Sequence, residues 1–116
     1  MIKEALDALV IEGEDTLDTS VEHIYASDLM SDVLAFGKPN SILFTGLATQ
    51  QAVISAHMAE FKGVVFIRGK KFKDQSSRFA RDNNLALLST HFDMYDACIR
   101  IDSALRGGVQ VQVPAP

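Results

Sequence analysis

Three segments of the chain, Ser41-Ile42-Leu43-Phe44-Thr45-Gly46, Val64-Val65-Phe66-Ile67-Arg68-Gly69 and Ala86-Leu87-Leu88-Ser89-Thr90, are apolar at consecutive positions and end in small, hydroxylic or charged residues. Consecutive apolar residues in a strand call for burial on both faces, the pattern of a parallel sheet covered by helices. Each run precedes a stretch that reads as helix. The cadence of strand, polar loop and helix predicts an α/β fold, a three-layer domain with a mainly parallel sheet flanked by helices and with residues 42–44, 64–67 and 86–88 as central strands. Ligands on such sheets gather at the carboxyl ends of the strands, so the same pattern says where a site would lie.

The rest of the chain fills in around these strands. Ile2, Ala5, Leu6, Leu9 and Val10 follow the spacing of a one-faced helix. Residues 12–20 read as an acidic loop and 21–26 as a short strand. Ser27 or Asp28 is placed to cap a helix that runs to about Phe36 and stops at Gly37-Lys38-Pro39-Asn40. In the helix expected over 49–61, Ile54, Met58 and Phe61 share one face while Ala52, Ala56 and Ala59 lie nearly opposite. Two apolar sides imply two covered sides. One is the chain's own sheet, and the other is either the fold again or a second subunit, with Ala52, Val53, Ile54, Ala56 and Met58 as the expected homodimer contact. Residues 74–84 should ride on the surface. A last helix over about 92–105 carries Met94, Ala97, Cys98, Ile101 and Leu105 on one stripe. Val109, Val111 and Val113 alternate with glutamines, so residues 106–116 read as an edge strand or a loose tail behind one domain over 1–105.

At 116 residues there is room for one core. No apolar run approaches the roughly 18 residues of a membrane span, and the N-terminus lacks a basic-then-apolar leader. The single cysteine, Cys98, rules out an intrachain disulfide, so the expected location is the cytoplasm. Three histidines and one cysteine, far apart, give no metal-site spacing and no cofactor is expected. Residues 1–32 hold nine acids against Lys3, while residues 62–81 hold seven bases against Asp74. Such runs are either solvated surfaces or, for the basic one, a partner-facing patch. An overall pI near 5.2 speaks against nucleic acid as the partner.

No catalytic constellation stands out. Arg68-Gly69-Lys70-Lys71 lacks the paired glycines of a phosphate loop, and no GxGxxG occurs. Ser89, His91 and Asp93 are near in sequence, but neighbours along a loop rarely converge as a triad. His57 reads as a packed or surface histidine and Cys98 as a small buried hydrophobe. Ser27 and Asp28, Thr45 and Gly46, Arg68, and Ser89 and Thr90 sit at predicted strand exits. There, helix-start amides and the Arg68 guanidinium are positioned for an anion, with a nucleotide or another phosphate compound as the expected class. The plain alternative is that these residues only cap helices.

The order of motifs resembles one family. Val21-Glu22-His23-Ile24-Tyr25-Ala26-Ser27-Asp28-Leu29-Met30-Ser31-Asp32-Val33-Leu34 is similar to the opening signature of DRTGG domains, with an aromatic residue, an Asp-Leu pair and a Ser-Asp pair in that order. Residues 42–47, 64–69 and 85–90 match the later strand-and-loop pattern, and Phe92-Asp93 the start of the last helix. The string DRTGG itself is absent, and Lys70-Lys71 stands where relatives often carry glycines or acids. The resemblance implies a fold like the N-terminal domain of HPr kinase/phosphorylase. It also implies a non-catalytic regulatory or dimerising module of the kind found beside CBS domains, with short stand-alone members encoded near iron hydrogenases. The competing expectation is a small enzyme or phosphotransfer accessory protein in which His91 or His57 reacts.

Overall fold

Side-chain alternation along the central strands divides the interior into two cores. Leu43, Val64, Phe66 and Leu87 bury on one face of the sheet, and Ile42, Phe44, Val65, Ile67, Ala86 and Leu88 on the other. The structure, a computed structural model, describes residues 6, 8–12, 21–69 and 75–105. Within them the order is β1 (Leu9–Glu12), β2 (His23–Ala26), α1 (Met30–Phe36), β3 (Ser41–Thr45), α2 (Gln50–Met58), β4 (Gly63–Phe66), α3 (Gln75–Asp82), β5 (Ala86–Ser89) and α4 (Met94–Leu105). The five-stranded sheet runs β1-β5-β4-β3-β2. Strands β2 to β5 are parallel, and β1 joins the β5 edge antiparallel with a register shift between Val10 and Glu12. This is the parallel, helix-covered α/β architecture read from the apolar runs.

A sheet that grows one strand at a time through crossovers of one hand carries the crossover helices on one face. Met30 and Val33 of α1, Ala52, Val53 and Ala56 of α2, and Ala80 of α3 accordingly close over the Leu43 face. The opposite face is closed by Ala97 and Ile101 of α4 together with Leu6 and Ala8. Helices α2 and α3 end where the backbone turns left-handed. Glu60 (φ 63°) and Asn84 (φ 56°) follow them, and the amides of Phe61 and Leu85 then reach back to the Ala56 and Ala80 carbonyls, each at 2.9 Å. Helix α2 therefore stops at Met58, and Phe61, expected on its apolar stripe, packs as a loop residue.

Two expectations change. Leu9 and Val10 belong to a strand rather than a helix. The open edge of β5 offers unpaired backbone groups, and Leu9-Val10-Ile11 is as good a strand sequence as it is a helical stripe. Ala52, Val53 and Ala56, expected at a subunit contact, have no exposed surface and belong to the chain's own core. Of that set Ile54 is half-buried and Met58 is 65% exposed. The alternating segment 109–113 lies outside the described residues.

Two substitutions test the packing. Leu43 has no exposed surface, so Leu43→Ala should cost about 2–5 kcal/mol in chemical denaturation. At Gly37 a Cβ would stand 2.5 Å from the Val33 carbonyl oxygen and 2.7 Å from the Phe61 ring. Gly37→Ala should therefore cost about 1–3 kcal/mol by overpacking although it adds one methyl group. Full stability in both variants would contradict this packing.

Candidate functional site

The parallel register lines up the strand exits. Ala26 pairs with Phe44, Thr45 with Phe66, and Phe66 with Ser89. One edge of the sheet therefore collects Ser27-Asp28, Thr45-Gly46, Ile67-Arg68 and Ser89-Thr90, the set expected from sequence.

Asp28 ties the first two exits together. Its Oδ1 accepts from the Thr45 hydroxyl at 2.9 Å and from the Gly46 amide at 2.7 Å. It does not cap its own helix, whose N-cap position is Leu29 without a side-chain cap bond. Other strand-exit amides are likewise taken by side chains: Leu29 N–H by Ser27 Oγ at 3.0 Å, Leu47 N–H by Thr45 Oγ1 at 3.0 Å, and Ala52 N–H by Thr49 Oγ1 at 3.3 Å. At α4, Asp96 N–H donates to Asp93 Oδ1 at 2.9 Å, so Asp93 caps that helix and places a carboxylate on its positive end. The amides expected to cradle an anion thus already have acceptors within the chain.

Ser89 and Thr90 are both buried. Thr90 Oγ1 donates to the Leu6 carbonyl at 2.6 Å and holds the N-terminal segment against the sheet. Neither residue lines the open cleft at this edge of the sheet.

Arg68 is different. It is exposed, and its backbone is left-handed at φ 57°. That conformation costs a non-glycine residue about 1–2 kcal/mol, and the turn is held by its neighbours. Arg68 N–H donates to the Phe92 carbonyl at 2.8 Å and Gly69 N–H to the Thr90 carbonyl at 2.7 Å. Phe92 is itself pinned, with its ring beside His91 and 4.0 Å from the Arg100 guanidinium carbon. Gly46 lies between the two charged groups. A Cβ there would sit 3.4 Å from Arg68 Nη2 and 3.5 Å from Asp28 Oδ2. The missing side chain leaves the heads of Asp28 and Arg68 flanking the same patch of backbone.

In front of them lies an open cleft of about 420 Å³, lined by Asp28, Ile67, Arg68, Asp93, Met94 and Tyr95. Met94 belongs to the apolar stripe expected on the last helix, and neither Asp93 nor Tyr95 stands out in the sequence as a cleft residue. The signal available is position: the first turn of a helix leaving a central strand faces the strand-exit edge. Of the two histidines expected to react if the protein were an enzyme, His91 is exposed on the loop after β5 with its ring beside Phe92, and it is not among the residues lining the cleft. His57 is exposed with its ring edge-on to Phe79. Burial raises the Cys98 thiol above its ordinary pKa and keeps it protonated near neutrality. No group of three metal-ligating side chains occurs among the described residues.

A parallel α/β domain with an open cleft at its strand exits, lined by charged and apolar side chains together, is the class that this geometry defines. No family model and no curated protein matches the chain. Among solved structures it is similar to the CBS and DRTGG domains of the regulatory region of a Clostridium perfringens pyrophosphatase, crystallised with the activator diadenosine tetraphosphate. The TM-score is 0.70 at 14% identity, over 86% of this chain and 44% of that one. The chain has a DRTGG-like fold. No helix among the described residues is long and apolar enough to cross a membrane.

The Asp28 bridge can be tested by stability. Removing the carboxylate in Asp28→Ala strips the acceptor from Thr45 and Gly46 and should cost about 1–3 kcal/mol. Asp28→Asn, which keeps an acceptor oxygen, should lose less. Equal stability of all three proteins in urea would show that the bridge does not hold the two exits together.

Proposed function

We propose that the domain is a non-catalytic regulatory module that binds a small anionic ligand of the nucleotide class at the strand-exit cleft. The observation that carries this reading is Arg68, an exposed guanidinium in a left-handed turn, lining a cleft of about 420 Å³ at the edge where α/β sheets receive ligands. Strained backbone that places a side chain in a cleft is the kind of local cost that a binding role explains. Arg68 supplies the charge-assisted contact to the anion, and Asp28 fixes the loop beside it. The buried Thr90 helps hold the Arg68 turn, its carbonyl accepting the Gly69 amide at 2.7 Å. The structural neighbour's regulatory region is crystallised with a nucleotide activator, which lends support to the ligand class.

Pairing with a second copy is the other part of the proposal. Leu29, Leu34 and Phe36 at α1, with Met58 of α2, are 49–67% exposed, an unusual set of large apolar groups to leave in water. The half-buried Cys98 suits a reducing compartment, and the proposed setting is the cytoplasm.

Isothermal titration with adenine and guanine mono-, di- and triphosphates and with diadenosine tetraphosphate tests the ligand reading. Binding to the wild type should weaken at least tenfold in Arg68→Ala. Arg68→Gly should lose binding to the same extent while keeping or gaining up to about 1 kcal/mol of stability, because glycine accepts the left-handed turn. Binding unchanged in Arg68→Ala would remove Arg68 from the site, and absence of binding across the panel would reject the ligand role.

A further inference from the structure

The anion contact uses Arg68 and leaves three lining side chains of the cleft, Asp93, Met94 and Tyr95, without a part in ligand binding. Tyr95 is 67% exposed on the first turn of α4, and Met94 and Ile67 extend its apolar wall. An exposed aromatic ring lining a cleft whose wall is largely apolar offers a stacking surface to a flat, conjugated group. Asp28 and Asp93 add two acceptors that call for hydroxyl or amine donors. They also limit the charge that the cleft accepts. Two carboxylates face one guanidinium among the lining residues, and Asp93, which accepts from Asp96 N–H at 2.9 Å, denies a phosphate the end of α4. A polyphosphate would meet net repulsion there, whereas a single phosphate can be given to Arg68 alone.

Resting on the proposed ligand role of the cleft, we infer that the ligand is a nucleoside monophosphate whose base lies on Tyr95, whose sugar or base donors face the Asp28 and Asp93 carboxylates, and whose phosphate meets Arg68. A cleft of about 420 Å³ is of the right order for such a molecule, since small-molecule sites run from roughly 300 to 1,000 Å³. Tyr95 is then the residue that sets specificity for a base, and Arg68 the residue that requires a phosphate.

The test is a titration of the full chain with AMP, GMP, ribose 5-phosphate, inorganic phosphate and tripolyphosphate, on the wild type, Tyr95→Ala and Tyr95→Phe. The ring of Tyr95 is largely outside the core, and thermal melting checks that both variants stay folded. The wild type should bind AMP or GMP at least tenfold more tightly than ribose 5-phosphate. Tyr95→Ala should abolish that difference and Tyr95→Phe should keep it. Ribose 5-phosphate or tripolyphosphate binding as tightly as the mononucleotides, in an Arg68-dependent way, would overturn the base contact while leaving the anion site in place. An unchanged mononucleotide affinity in Tyr95→Ala would overturn it too, and so would the absence of AMP and GMP binding, whereas the ligand role itself falls only if the di- and triphosphates and diadenosine tetraphosphate also fail to bind.

Discussion

Strands whose side chains are apolar on both faces have to be covered twice, and most of this molecule's architecture is a consequence. Leu43 and Phe44 are adjacent in sequence, fully buried and on opposite sides of the sheet. Covering both sides forces the chain to leave the sheet after every strand and return by a helix. Because the crossovers from β2 to β5 share one direction, the exits from these strands fall on one edge. Polar residues gather there because the chain must turn there, and backbone groups released from the ladder need partners.

Those partners shape the chemistry of the edge. A strand-exit edge with free amides is an anion site by default. Here Asp28 has filled that role from within by accepting the Gly46 amide and the Thr45 hydroxyl, and Asp93 has done the same at α4. The edge is consequently mixed in sign, with one guanidinium placed among carboxylates and beside an aromatic ring. Such a surface reads donors, acceptors and a flat face together, and it is poorly suited to charge alone. The strained turn at Arg68 belongs to the same set of loop contacts: the Phe92 and Thr90 carbonyls that hold it come from the neighbouring exit, so the two loops are fixed relative to each other.

Much of this was legible in the sequence, for identifiable reasons. The central strands are legible because three short apolar runs recur, each closed by polar punctuation and each followed by a helical stretch, a cadence that settles what a single short run leaves open. Thr45, Gly46, Arg68, Ser89 and Thr90 follow from the order of strands and helices, Ser27 and Asp28 from their capping position and the family signature, and the register brings all of them to one edge. What topology does not contain is the direction of side chains. Ser89 and Thr90 share the exit with Arg68 yet are buried, and Asp28 reaches across to β3 instead of capping its own helix. Tyr95 escaped notice because an exposed aromatic at a helix start carries no periodic signal. Leu9 and Val10 misled because a short apolar run fits helical spacing as well as an edge strand, and only pairing to β5 decides between them. The alanine face of α2 was correctly seen as a close-packing face, but its neighbour is the chain's own sheet.

The central claim is that a ligand binds the strand-exit cleft lined by Asp28, Arg68 and the start of α4. Backbone amide NMR of the labelled protein during titration with AMP reads this residue by residue. Ligand binding in the cleft predicts shifts confined to Asp28, Gly46, Arg68, Gly69 and residues 93–95, with the α1–α2 surface around Phe36 and Met58 unmoved. Shifts centred on that helical surface, or an unchanged spectrum at millimolar AMP, would contradict it.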